Sequence, residues 1–412
     1  MSRILFLTPR FPWPLIGGDR VKSYFLLRHL AQHHDVHLVS FSHATLPDKT
    51  QIDAITRLGV HVHPVALRPL RAGLASARSV WTHLPLEIAF YTRDDFQQVV
   101  DDLLDSIEFD IGVSFFMRTG EYLRKKRGLK KLLIAEDCRV EYQTRSADAV
   151  RSIPQRLVRW WETIKLRQYE PGIVDDFDVT TFVSAQDVAA MTRLNANHAY
   201  AVVTNGVDLE RFSFVDNHTT RSGILFAGKL DVMANELMAR RIVENILPHV
   251  LPVQEAVVTI AGHQPSRRLL SLAGQHVQIA ADVDDLVPYF HRAAIFLHPH
   301  HGGSGIQNKV LEAMASGCAV VTTLTGLQGI HATHGVHCLV AADDREAAQH
   351  VSTLLSNPEL RSSLARAARR LMEETHSWTH VERQIDTVLS GLVGSMDTTV
   401  RPLRPVSSSA NV

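Results

Sequence analysis

Residues 298–323, HPHHGGSGIQNKVLEAMASGCAVVTT, read in order as the end of an apolar strand, a glycine loop, a helix, a glycine stop and a second strand. Gly302, Gly303 and Gly305 let backbone amides approach an anion closely, and the helix that follows directs its positive amino-terminal end at the same spot. A diphosphate fits such a cradle. Lys309 adds a point charge near the helix start, and Glu312, one turn further on, is spaced to accept hydrogen bonds from vicinal hydroxyls such as those of a ribose. An ordinary strand-to-helix crossover with a solvated lysine has the same pattern. Under either reading the segment is one unit of an α/β domain built on a parallel sheet.

Outward from it, strand and helix alternate along most of the chain. Compact apolar runs predict strands at 3–8, 35–42, 60–66, 110–116, 131–135 and 179–183, then at 223–227, 256–261, 277–279, 294–298, 319–322 and 338–341. Helical periodicity predicts helices over 20–33, 236–250, 283–293, 307–316 and 344–355. The turn at Asn205-Gly206-Val207-Asp208 and the polar stretch after it divide the series in two. The expected organisation is a Rossmann-like domain over 1–205, a linker over 206–222 and a second such domain over 223–375. A carboxy-terminal helix, 376–397, is expected to pack back on the first domain, and a disordered tail rich in Pro, Ser and Val covers 398–412. Two doubly wound halves place a cleft between the carboxyl ends of their sheets, where such folds bind ligands.

Composition narrows the partners. With 43 basic and 43 acidic residues in 412, no global field favours nucleic acid or an anionic membrane, so an anion site has to be local. The three cysteines, Cys138, Cys318 and Cys338, are odd in number and far apart, which argues against a disulfide framework and fits a cytoplasmic protein. The apolar run at the start ends in prolines and reads as a first strand, and no run approaches the ~20 apolar residues of a membrane span. Peripheral attachment to the inner face of a membrane is compatible with this.

The 298–323 segment resembles the donor-site signature of glycosyltransferase family 4, in which two glutamates flank a glycine loop and the second opens an EAMA stretch, here Glu312-Ala313-Met314-Ala315. Thr204-Asn205-Gly206-Val207-Asp208 with Phe212 is similar to the family's hinge, Phe226-Ala227-Gly228-Lys229-Leu230 to its VGRL segment, and Thr259-Ile260-Ala261-Gly262 to its IAG segment. The likeness covers roughly residues 3–390 and is nearest to members associated with bacterial exopolysaccharide systems. It implies a GT-B fold and a retaining, metal-independent transfer of a sugar from a nucleotide-sugar donor to a glycan or lipid-linked acceptor, with no cofactor. By resemblance Glu312 binds the donor ribose, and Lys229 and Lys309 hold the diphosphate. Gly17, Gly18, Gly228, Asn235, Gly303, Ser304, Gly305, Ile306, Gln307 and Asn308 complete the expected donor site. Two departures stand out. Ser304 occupies the place of the first glutamate, and Ala234-Asn235 that of a lysine. A nucleotide-sugar epimerase on the same plan, or a non-catalytic nucleotide-sugar-binding protein, is the competing reading.

The first half carries weaker signals. Gly17-Gly18 follows the first strand, so its amides face either a donor phosphate or a reacting hydroxyl, or form only a turn. Asp137, after the strand at 131–135, is placed to orient an acceptor as a catalytic group, or to cap the next helix. His298, His300 and His301 lack a carboxylate at ligand spacing, and the DxD at Asp176–Asp178 is far in sequence from the cradle, so no metal site is expected from either. Arg156, Arg159, Trp160, Trp161, Lys165 and Arg167 form a basic, aromatic stretch before Glu170. A half-buried helix with its tryptophans turned inward is the expectation, and contact with a membrane the alternative.

Overall fold

The computed structural model describes residues 1–43, 45–147, 153–216, 219–302 and 305–394. The tail expected to be disordered, and the glycine-loop residues Gly303 and Ser304, lie outside the described residues. The first sheet comprises β1 (Arg3–Thr8), β2 (Asp35–His43), β3 (Val60–Leu67), β4 (Ile111–Phe115), β5 (Lys130–Glu136), β6 (Val179–Phe182) and β7 (Tyr200–Val202). Its strands run parallel in the order β3-β2-β1-β4-β5-β6-β7. The second sheet comprises β8 (Ser222–Lys229), β9 (Val258–His263), β10 (Val277–Ala281), β11 (Ala293–His298), β12 (Ala319–Thr322) and β13 (Leu339–Val340), parallel in the order β10-β9-β8-β11-β12-β13.

These strands read as apolar runs because helices cover both faces of each sheet. In β1, Leu5 and Leu7 join one buried cluster while Ile4 and Phe6 join the cluster on the opposite face. β8 does the same, with Ile224 and Phe226 on one side and Leu225 and Ala227 on the other. The helix Trp378–Gly394 returns to the first half, where Val381, Ile385 and Leu389 enter the cluster of Ile4 and Phe6. Trp378 stacks on Phe25 with ring centroids 4.2 Å apart.

Three expectations change. The helix expected over 236–250 begins earlier, at Met233, and ends at Arg241; a π-helical turn, Ile242–Ile246, then leads into Leu247–Val250. Pro248 lacks the amide an α-helix would use there, and a π turn absorbs the mismatch. The helix expected over 283–293 shortens to Val287–Arg292, with Val287 N donating to Asp285 Oδ1 at 3.2 Å and Pro288 near its start. β7 has no counterpart among the expected strands, since three residues at a sheet edge are too few to form a pattern.

Candidate active site

Ligands of doubly wound sheets bind where the strand order reverses, beyond the carboxyl ends of the strands. That point lies between β1 and β4 in one sheet and between β8 and β11 in the other. The Gly17-Gly18 loop leaves β1, Gly228-Lys229 closes β8, and Pro299 to Gly302 leave β11.

Gly17, with φ 101°, caps the helix Gly18–His33 without a side-chain hydrogen bond. A β-carbon on Gly18 would overlap the Asn308 carboxamide, so glycine is what lets this loop touch the start of the helix Asn308–Ser316 across the cleft. Asn308 Oδ1 also accepts from Asn205 Nδ2 at 2.9 Å. The hinge is clamped by the returning chain: Asn205 O lies 2.9 Å from His376 Nδ1, Thr204 N donates to Gln384 Oε1 at 2.9 Å, and Val207 N donates to His376 O at 2.8 Å. Burial lowers the His376 imidazole to about 4.

On the donor side, Gln307 stands at the cap of the Asn308–Ser316 helix and makes no side-chain cap hydrogen bond, while Gly317, at φ 87°, stops the helix. An uncapped amino terminus of this kind offers amides and a positive dipole end to an anion. Lys309 Nζ lies 2.6 Å from Glu312 Oε2, so two residues with separately expected contacts form one ion pair, their side chains 32% and 16% exposed. Lys229 is half exposed and lies 3.2 Å from Asp231. Asn235 Nδ2 donates to Lys229 O at 2.9 Å and packs over Gly228. Gly228 pairs in register with Gly262, where a β-carbon would overlap the Gly228 carbonyl; this explains both glycines at the strand ends.

A cleft of about 1380 Å³ separates the halves, lined by Arg159 and Gln186 on one side and by Asn235, His300, Gly302 and Gln307 on the other. Lys229, Lys309, Glu312 and Asp137 are not part of its lining. Ile306 is buried in the second core, and Gly305 comes within 3.8 Å of Asp137 when a β-carbon is built on it. Asp137 thus stands opposite the glycine loop, with its Oδ2 3.4 Å from Arg139.

The first amides of the helix Arg139–Ala147 donate to Glu170, Arg139 N to Oε1 at 2.8 Å and Val140 N to Oε2 at 2.9 Å. Burial pushes the Glu170 carboxyl up to about 8, against those two amides. Glu87 receives Arg139 at 2.8 Å and Arg118 at 3.6 Å. Burial alone would raise the Glu87 carboxyl, but the two guanidiniums outweigh it and hold it below its ordinary value. Beneath this network a fully buried pair, Lys22 Nζ and Glu136 Oε1 at 2.7 Å, joins the first helix to the end of β5, and Lys22 also donates to Val203 O at 2.8 Å. Burial pushes the Lys22 amine down and the Glu136 carboxyl up, each opposed by the other's charge. Glu136 takes φ 72°, and Phe116, Gln264 and Asp282 share this left-handed region at the ends of β4, β9 and β10. Costly backbone of this kind gathers where ligands bind.

His298 and His300 are buried and stacked at 5.4 Å, and burial lowers them to about 3 and about 4. His301 is exposed. Asp176 is held by Arg124 at 2.6 Å, and Asp178 accepts from Lys131 N at 2.7 Å, so the DxD acids serve local ion pairs. The inward packing expected of the tryptophans is corrected. The helix Ile153–Val174 runs on through Pro171 and buries Leu166, Tyr169 and Ile173, while Trp160 is 63% and Leu157 61% exposed. Glu162 and Lys165 turn the helix that way: Glu162 accepts from Leu86 N at 2.9 Å, and Lys165 donates to Ser79 O at 2.6 Å. Trp161 is left half-buried, with Lys165 Nζ 3.9 Å from its ring.

Residues 221–357, which hold β8 to β13 and the Asn308–Ser316 helix, match the family described as "Glycosyl transferases group 1". The match is confined to the second sheet and the helices around it. The chain is 27% identical over 228 residues to a phosphatidyl-myo-inositol mannosyltransferase of Mycolicibacterium smegmatis, a match covering 52% of this chain and 58% of that protein. It is 21% identical over 376 residues to an uncharacterized 44.6 kDa protein in the cps region of Klebsiella pneumoniae, covering 87% of this chain and 92% of the relative. Its fold matches sucrose-phosphate synthase from Thermosynechococcus elongatus with TM-score 0.72 at 17% identity, covering 96% of this chain and 100% of that one. HepE of Anabaena, in complex with UDP-glucose, matches with TM-score 0.67 at 13% identity over 95% of this chain and 100% of that one. Among the described residues no helix is long and apolar enough to cross a membrane.

Proposed function

We propose that the chain is a retaining, metal-independent glycosyltransferase that moves a sugar from a nucleotide-diphosphate-sugar donor to a glycan or lipid-linked acceptor in polysaccharide biosynthesis. One observation carries this: the Gly17-Gly18 loop of one half meets Asn308 at the uncapped start of the other half's helix, so both halves border a single anion-binding corner. Lys229 and Lys309 lie at the ends of the elements that converge there. In this reading the incoming diphosphate takes Lys309 from Glu312, and Glu312 turns its freed oxygens to the ribose. Charge building on the leaving diphosphate is met by lysines and helix-end amides, a form of preorganised electrostatic stabilisation that needs no protein nucleophile. Asp137, opposite Gly305, orients the acceptor hydroxyl. The mannosyltransferase and cps-region relatives support the donor class and the polysaccharide setting.

An exposed apolar and basic face beside the cleft supports a lipid-linked acceptor and a peripheral membrane location. Leu157, Val158 and Trp160 are all more than half exposed, and Arg159 of the same helix turns into the cleft. Amphipathic surfaces of this kind lie in the headgroup region of bilayers.

The test is a set of nucleoside-diphosphate hexoses incubated with the chain, with and without acceptor extracts, in EDTA and in divalent metal. Release of nucleoside diphosphate that depends on acceptor and persists in EDTA is the expected result. An altered sugar still on its nucleotide would instead identify the epimerase reading, and saturable binding without turnover the non-catalytic one. Loss of transfer in EDTA that a divalent metal restores would overturn the metal independence.

A further inference from the structure

β2 begins Asp35-Val36-His37 and β3 begins Val60-His61-Val62-His63. Side chains two apart on a strand share a face, so each strand sends two polar groups to one side. The parallel register sets His37 opposite His61 and Val39 opposite His63, which gathers all four near the amino ends of the strands. There the rings of His37 and His61 stack at 4.5 Å, and Phe109 abuts His37 edge-on at 5.2 Å. Asp35 Oδ1 lies 3.3 Å from His61 Nε2 and 3.7 Å from His37 Nε2. One ligand atom from each of these three residues lies within 4.8 Å of the others. Arg3 Nε occupies the other carboxylate oxygen of Asp35 at 3.1 Å, which leaves Oδ1 to the histidines. His37 Nδ1 lies 3.3 Å from His63 Nε2. With that bond made by an Nδ1 hydrogen, the Nε2 lone pair of His37 points at Asp35 and His61.

We propose that Asp35, His37 and His61 bind a borderline divalent ion of the Zn2+ type, with His63 orienting His37 from behind. Imidazole and carboxylate are ligands of that ion, and bonds of about 2.0–2.2 Å in a tetrahedron put ligand atoms roughly 3.3–3.5 Å apart. The Asp35–His61 distance already matches, and rotation of the exposed His61 side chain brings in the third. Water completes the shell. The Nδ1–His63 contact is the outer-shell bond that fixes the tautomer of a ligating histidine. The ion would tie β2 to β3 and, through Asp35 and Arg3, to the start of β1. It has no part in sugar transfer: His37 and the carboxyl end of β2 at His43 are six residues apart, roughly 20 Å of strand.

The experiment uses the full chain without a polyhistidine tag, stripped with EDTA and titrated with Zn2+ by calorimetry, and with Co2+ as a spectroscopic probe. One Zn2+ per chain at micromolar concentration and tetrahedral Co2+ absorbance are expected. His61→Ala removes an exposed side chain and should fold normally; it and Asp35→Asn should weaken Zn2+ binding at least about tenfold, and His63→Ala about tenfold. His301→Ala should leave binding unchanged, and His61→Ala should transfer sugar as the parent does. The absence of saturable binding overturns the site. So does binding that His61→Ala leaves intact, or that His301→Ala removes.

Discussion

The two halves of the cleft hold their charges differently. At the carboxyl end of the first sheet, Lys22 and Glu136 are buried, and Arg139 is locked between Glu87 and Asp137. At the corresponding end of the second sheet, Lys229 is half exposed beside Asp231, and Lys309 is paired with a neighbour on its own helix. A buried pair cannot exchange partners without leaving a charge in a low-dielectric setting, whereas a half-exposed lysine gives up a surface partner at little cost. The first half is therefore a fixed frame, and the second half keeps charges that an anion can recruit.

The largest effect should come from breaking the frame. Lys22→Met leaves Glu136 buried without its counter-ion, and Glu136→Leu leaves Lys22 likewise; each should cost about 3–5 kcal/mol in urea unfolding. The double variant should recover most of that loss, because two apolar groups leave no charge unpaired. If either single variant unfolded like the parent, the two halves would not differ in the way described.

Next in size is the clamp that joins the halves. His376 is 1% exposed, and burial lowers its imidazole from the ordinary 6.5 to about 4. Between those values the unfolded chain binds the proton first, so stability is fully present above about 6.5 and is lost as pH falls through about 4. One such histidine accounts for roughly 3 kcal/mol over the window. His298 and His300 act in the same direction. Melting temperature followed from pH 7 downward should fall, and His376→Gln should fall less steeply; an unchanged slope would detach His376 from the clamp.

The same contrast explains what could be read from the sequence. Strands buried on both faces, such as Ile4–Leu7 and Ile224–Ala227, are written as apolar runs, and glycines that permit close approach, such as Gly18 and Gly262, stand out because little else fits there. The fixed frame is not legible in this way. Lys22 and Glu136 belong to elements separated by three strands' worth of chain, and Glu170 reaches the start of a helix it does not belong to. The tryptophans misled because the Ile153–Val174 helix has apolar residues on more than one face, and its orientation is set by Glu162 and Lys165 bonding to a distant loop. The Asp35, His37 and His61 group was invisible because its ligands are divided between two strands.

On the recruitable side, Glu312 should have the larger effect. Glu312→Ala should weaken nucleoside-diphosphate binding by about 1.5–3 kcal/mol and Glu312→Gln by less, with little change in the melting temperature of the unliganded chain. The parent should prefer a ribose bearing both hydroxyls over an analogue lacking them. Glu312→Ala should not, and equal discrimination by the two proteins would remove the ribose contact and leave Glu312 as a partner of Lys309.

The smallest expected effect separates the two lysines. Lys309→Ala removes a charge beside the uncapped helix start, so nucleoside-diphosphate binding should weaken about tenfold, equivalent to about 1.4 kcal/mol. Lys229 is more exposed and already shares Asp231, so solvent screens it and Lys229→Ala should weaken binding by only about threefold. Because both lysines are assigned to phosphate, both losses should shrink when a nucleoside monophosphate replaces the diphosphate, and both should diminish as salt is raised. Calorimetry on folded variants reads all of these arms. A Lys229 effect as large as that of Lys309, or losses that persist with the monophosphate, would mean that these charges act on the fold or on the base, and the second half would then be as fixed as the first.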